Sequence, residues 1–303
     1  MIEIINLKKS FANNTVLNGI NVTLESGKIY GFLGMNGAGK STTINIMSGF
    51  MSATSGDVFF DGISIKSNFL EAKELIGFLP ENPPLYNEMT VYEYLYFIAQ
   101  AKGLKRRAAN DEVEQKMTLT HCIDVKNKVI STLSKGYRQR VGICGALIGN
   151  PKYILLDEPM SGLDPTQIIE IRELLLSLKK KHTIIFSSHI LSEVSEVCDS
   201  VLILSDGNIT VYDPKQKNYQ YIVETKSNED VYLHNTADYT CELLDESAQT
   251  KRYRIKSSTD ARESLFDNCV KNKIKLLELK EEKNSLEDFF INALYQNNSN
   301  EEK

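Results

Sequence analysis

Gly34, Gly39, Lys40 and Ser41 fall at the spacing G-x-x-x-x-G-K-S within GMNGAGKS, a pattern suited to gripping a chain of phosphates. Glycines let the backbone approach an anion closely, so successive N–H groups can converge on it. Asn36, Gly37, Ala38 and Thr42 belong to the same expected cradle. The Lys40 ammonium would reach the β and γ phosphates of a nucleotide, and the Ser41 hydroxyl would ligate Mg²⁺. A helix beginning at Lys40 would turn its positive end toward the same anion.

YILLDEP supplies a second group: a short apolar run ending in two adjacent carboxylates, Asp157 and Glu158. A buried strand delivers such residues to the end of a sheet where ligands bind. Asp157 suits Mg²⁺, and Glu158 suits polarising the water that attacks a γ phosphate. Taken alone the pair could equally cap a helix; the loop upstream is what favours chemistry.

These groups need an α/β frame. IEIINL, VLNGINVTL, KIYGFL and DVFF read as strands, and KIYGFL leads into the glycine loop and then a helix, TTINIMSGF, closed by Gly49. Thr90 and Glu93 form a capping box ahead of Val91, Leu95 and Ile98 at helical spacing, with helices dominating to about Ile148. YILLD, TIIFSS and VLILS read as buried parallel strands with crossover helices over 166–181 and 190–198. Beyond Asp213, PKQKNYQ reads as a boundary, followed by strands YIVET, VYLH and KRYRIKS and by helices over 260–271 and 286–295, the latter capped by Ser285 with Asp288. The expected domains are therefore 1–213, a small α+β unit at 214–296, and a disordered tail at 297–303.

LSKGYRQR, 133–140, is the third group, and with it the chain resembles the ATP-binding cassette (ABC) ATPases. The resemblance implies a P-loop NTPase cassette with an N-terminal antiparallel β subdomain and an inserted helical subdomain. It also implies that ATP and Mg²⁺ are the ligands, and that Ser134 and Gly136 grip the γ phosphate bound by an opposite subunit. Lys135 and Tyr137 depart from the family's usual glycine and glutamine. On the same resemblance, Asp164 of SGLDP links the two facing sites and His189 of FSSH contacts the γ phosphate. Phe11, before the turn ANNT, lies where the family has an aromatic residue and is expected to stack on adenine. Glu81 of IGFLPENPPLY stands where the family has a glutamine that senses Mg²⁺ and the γ phosphate. A carboxylate there would hold Mg²⁺ better than an amide but repel phosphate. This form resembles cassettes of sodium-extrusion, gliding-motility and antibiotic-export systems, which pair with separate membrane subunits. Tyr92, Tyr94, Tyr96 and Phe97 offer more ring surface than one buried stripe needs, and part of it is expected in a groove for the cytoplasmic helix of a transmembrane permease subunit.

Composition sets the limits. At 303 residues the chain exceeds one ordinary domain. A net charge of -5 argues against nucleic acid as a partner. The apolar run VGICGALIG is far shorter than the ~18 residues that cross a bilayer. Five cysteines without a CxxC pair suit a reducing compartment, so a cytoplasmic subunit peripheral to the inner face of the membrane is expected. The expected function is ATP hydrolysis coupled to transport by a homodimer bound to its permease. Two rivals are a soluble cassette ATPase acting on DNA or ribosomes and a nucleotide-gated module without turnover.

Overall fold

The computed structural model describes residues 1–12, 14–214, 219–226, 232–282 and 286–291. The expected Ser285 cap, the helix beyond Ile291, the 297–303 tail, Asn13 of the ANNT turn and 215–218 of the boundary segment lie outside them. The chain divides into two compact units, Met1–Tyr212 and Asp213–Asn292.

The first unit opens with β1 (Ile2–Phe11), β2 (Asn14–Leu24), β3 (Ile29–Leu33), α1 (Lys40–Met47), β4 (Ser55–Phe60), β5 (Ile63–Ser64), α2 (Phe69–Glu74) and β6 (Ile76–Leu79). It continues through α3 (Val91–Ala101), α4 (Arg106–Leu119) and α5 (Lys135–Leu147) to β7 (Tyr153–Leu156) and α6 (Pro165–Leu178). Its last elements are β8 (Thr183–Ser188), α7 (Leu191–Ser195), β9 (Ser200–Ser205) and β10 (Asn208–Tyr212).

A six-stranded sheet runs β10-β9-β3-β8-β7-β6, and all its pairs are parallel except β10 with β9. Every residue of β3, β7, β8 and β9 is buried, which is why those segments read as unbroken apolar runs. A second, antiparallel sheet runs β2-β1-β4-β5, and its side chains pack with those of β3 and α1 into one core. The fold is thus the α/β P-loop cassette with its antiparallel subdomain.

The helices α3, α4 and α5 bury Val91, Leu95, Val113, Met117, Val141 and Cys144 in a separate core. The expected capping box is present: Glu93 N donates to Thr90 Oγ1 at 3.2 Å, and Thr90 N donates to Glu93 Oε2 at 2.8 Å. Thr90→Ala is expected to lower unfolding stability by about 1 kcal/mol, read as a lower urea midpoint with an unchanged slope. Gly77 in β6 fixes α5 against the parallel sheet, because a Cβ there would lie 2.2 Å from the Ala146 carbonyl oxygen.

The second unit contains β11 (Tyr219–Lys226), β12 (Thr240–Glu246), β13 (Thr250–Ser257), α8 (Arg262–Lys271) and β14 (Leu276–Glu282), with the strands in the antiparallel order β12-β13-β11-β14. Tyr221, Val223, Tyr253 and Ile255 pack with Leu265 and Cys269 of α8. Two expectations fail here. Tyr232, Leu233 and His234 form no strand, while β12 and β14 form where none was expected. Apart from Thr240, TCELLDE and LLELKEE lack β-branched residues and are rich in Glu, so their extended form comes from pairing with β13 and β11 rather than from local preference. The helix expected over 190–198 is likewise only Leu191–Ser195.

Candidate functional site

The strand β3 lies between β9 and β8 and ends in the glycine loop. Gly37 and Gly39 hold φ of 85° and 103°, a region that side chains with a Cβ avoid. A Cβ on Gly39 would also sit 2.8 Å from Leu17 Cδ2. No side chain caps α1 at Gly39, so the first N–H groups of the helix face the loop's concavity with its positive end. Lys40, only 6% exposed, donates from Nζ to Gly34 O at 2.8 Å and Met35 O at 3.2 Å. Burial lowers its pKa, while the charges of Glu158, Asp157 and Glu81 oppose that shift.

The carboxylates stand at the end of β7. Asp157 Oδ1 accepts from Ser41 Oγ at 2.9 Å and from Ser187 Oγ at 2.6 Å. Glu158 has φ of 49°, unusual for a residue with a side chain, and strain of that kind costs on the order of 1 kcal/mol. Its N–H is held by Ser187 Oγ at 2.8 Å. Its carboxylate lies between Lys40 Nζ, 3.8 Å from Oε1, and His189 Nδ1, 2.9 Å from Oε2. A carboxylate bracketed by a buried cation and an imidazole, and aimed by a strained backbone, can take a proton from a water above the loop.

The expected site residues form two groups. Gly34, Lys40, Ser41, Asp157, Glu158 and His189 meet at the C-terminal ends of β3, β7 and β8. Asn36, Gly37, Ala38 and Thr42 follow the same loop and the first turn of α1. Ser134, Gly136 and Asp164 form the second group, where α5 starts against α6. Ser134 Oγ accepts from Tyr137 N at 3.4 Å as the cap of α5, and Asp164 Oδ1 accepts from Gln167 N at 2.9 Å as the cap of α6. A Cβ on Gly136 would lie 2.6 Å from the Gln167 side chain, and Lys135 lies across Gly162. An Arg140–Glu170 ion pair ties the same two helices. Glu81 is exposed beyond β6 yet close enough to act on the charge of Lys40. Phe11, 45% exposed at the end of β1, carries the Lys9 ammonium 4.8 Å from its ring centre.

Ser187 was not singled out from the sequence, although one hydroxyl positions both Asp157 and Glu158. The signal is a serine near the end of an apolar strand, directly before Ser188 and His189.

Comparison with known proteins agrees with this geometry. The family model described as ABC transporter matches residues 17–161. The uncharacterised ABC transporter ATP-binding protein YhcH of Bacillus subtilis is 35% identical over 301 residues, covering 96% of this chain and 95% of that one. The bacitracin transport ATP-binding protein BcrA of Bacillus licheniformis is 34% identical over 306 residues, covering 97% of each. Among solved structures, cbiO1 of Clostridium perfringens, part of the cbiONQ ABC transporter complex, superposes with a TM-score of 0.65 at 30% identity, covering 71% of this chain and 88% of that one.

Proposed function

Because the chain belongs to the ABC transporter family as an ATP-binding, ATP-hydrolysing subunit, we propose that it powers export through a separate membrane-spanning subunit. The observation that carries the catalytic part is the placement of Glu158 between Lys40 and His189 at the mouth of the glycine loop. On this reading the loop N–H groups and Lys40 hold the β and γ phosphates, and Phe11 stacks on the adenine. Glu158 accepts a proton from the attacking water as its oxygen bonds to the γ phosphorus, the bond to the bridging oxygen breaks, and ADP leaves. His189 holds the Glu158 carboxylate in place and donates toward the γ phosphate.

Hard oxygen donors suit Mg²⁺, and Ser41 Oγ and Asp157 Oδ1 stand 2.9 Å apart with Glu81 nearby in charge terms, so the residues fit that ion. Bound with the nucleotide, Mg²⁺ would neutralise phosphate charge there. Ser134, Gly136 and Asp164 make local contacts at the starts of α5 and α6, which supports their serving the phosphates of a second copy facing the first around a two-fold axis.

Full-length similarity to a bacitracin transport protein supports export of an antibiotic-like compound. Among the described residues no helix is long and apolar enough to cross a membrane. An exposed ring surface supports docking of a permease. Tyr86 is 50% exposed and Phe97 45%, with their ring centres 5.7 Å apart, whereas Tyr94 is buried. The chain would then sit at the inner face of the membrane through its partner, with 214–296 as an accessory domain. Detergent extracts of membranes are expected to yield a membrane-spanning protein bound to this chain. Phe97→Glu should release that protein while leaving the isolated chain's ATP hydrolysis unchanged, and retention of the partner would count against this docking surface.

A further inference from the structure

Behind the site, the residues around His189 are braced by a group the mechanism above does not use. Ser188, the last residue of β8, is fully buried; its Oγ accepts from Ile190 N at 2.9 Å and donates to Glu193 Oε2 at 2.6 Å. The two bonds close the turn 188–190, and His189 projects from its middle. His189 is 43% exposed, so its direction depends on the backbone that carries it together with its bond to Glu158 Oε2. Glu193 itself is 5% exposed on α7.

Its other oxygen, Oε1, is buried and has no hydrogen-bond partner among the described residues. The charged groups facing Glu193 are Glu158 from the end of β7, His189 from the turn and Arg172 from α6. Arg172 is in an ion pair with Glu196. Among the described residues the side-chain hydrogen bond of Glu193 is therefore the one from Ser188, so the two side chains hold each other in place.

We infer that Glu193 is a positioning residue for ATP hydrolysis: through Ser188 it holds the turn that carries His189 beside Glu158. Burial raises the Glu193 pKa; the Ser188 hydrogen bond opposes that rise and the Glu158 charge adds to it. Gln keeps a side-chain oxygen that can accept from Ser188 Oγ, so it can replace Glu193. Ala cannot, and neither can a Ser188 that has lost its hydroxyl.

The test is steady-state ATP hydrolysis against pH by the full chain carrying Glu193→Gln, Glu193→Ala or Ser188→Ala, with thermal melts alongside. Glu193→Gln should stay within about twofold of the parent kcat, while the other two lose about tenfold in kcat with KM for ATP within about twofold. Should Glu193→Ala not fold, Ser188→Ala and Glu193→Gln decide the matter. A Glu193→Gln loss as deep as that of Ser188→Ala overturns the bond from Ser188 as the brace. Parent kcat in Ser188→Ala overturns the positioning role. The inference rests on Glu158 as the base, and Glu158→Gln in the same assay separates the two. Turnover that survives Glu158→Gln removes both readings; turnover lost there but kept in Ser188→Ala removes only the role of Glu193.

Discussion

Glu158→Gln is expected to lower kcat for ATP hydrolysis by about 10² to 10⁴ while ATP still binds. The amide matches the carboxylate in size and can keep a hydrogen bond to His189 Nδ1, which stands 2.9 Å from Oε2 in the parent. What it loses is the ability to take a proton. It also loses the negative charge facing Lys40 at 3.8 Å, which lies where the γ phosphate must approach. Binding should therefore be preserved or tightened as turnover stops. With hydrolysis blocked, two copies holding ATP between them cannot reset, so Mg-ATP should convert the variant from monomer to dimer on gel filtration. Parent-like phosphate release would remove Glu158 as the base. A variant that stays monomeric at saturating Mg-ATP would remove the facing pair for the isolated subunit.

The residues that would act first on the nucleotide were legible because each is tied to a local pattern. The loop from Gly34 to Ser41 needs glycines where the backbone is left-handed, at Gly37 and Gly39, and a strand of wholly buried residues before it. The carboxylates end another such strand, β7. Less of the supporting shell could be read. The left-handed backbone of Glu158 has no sequence signature, since glutamate seldom adopts it, and it exists because Ser187 and the packed strand ends impose it. The bond from Ser188 to Glu193 joins residues five apart whose types are ordinary in any turn.

The same division holds for the fold. Strands buried on both faces announced themselves as apolar runs, and the start of α3 announced itself by its capping box. The short β6 is only the four residues IGFL, too brief a run to stand out; its Gly77 is there for α5, whose Ala146 carbonyl would meet any Cβ. In β12 and β14 the local composition favours other states, and partners distant in sequence decide the outcome. Where structure depends on a neighbour far along the chain, the residues themselves carry little trace of it.

Lys40→Ala should weaken ATP binding by about 10²-fold or more, because charge-assisted hydrogen bonds to phosphate contribute roughly 1.5–3 kcal/mol each and the ammonium can make more than one. Unlike an exposed lysine, Lys40 is 6% exposed and its charge is already disfavoured by burial, which lowers its pKa. It keeps its place by donating to Gly34 O and Met35 O, the carbonyls of the loop it serves. A triphosphate arriving there supplies the anion that stabilises the buried ammonium, so affinity and charge are coupled at this one atom. Removing it takes away the ammonium that the charges of Glu158, Asp157 and Glu81 surround and leaves those carboxylates facing the incoming phosphates without it. The loss should therefore appear in nucleotide affinity itself, measured by titration with a fluorescent ATP analogue, and not only in turnover as for Glu158→Gln. A thermal melt close to the parent's would show that the loop has not collapsed. Undiminished affinity in a folded Lys40→Ala chain would mean that the phosphates bind somewhere other than the glycine loop.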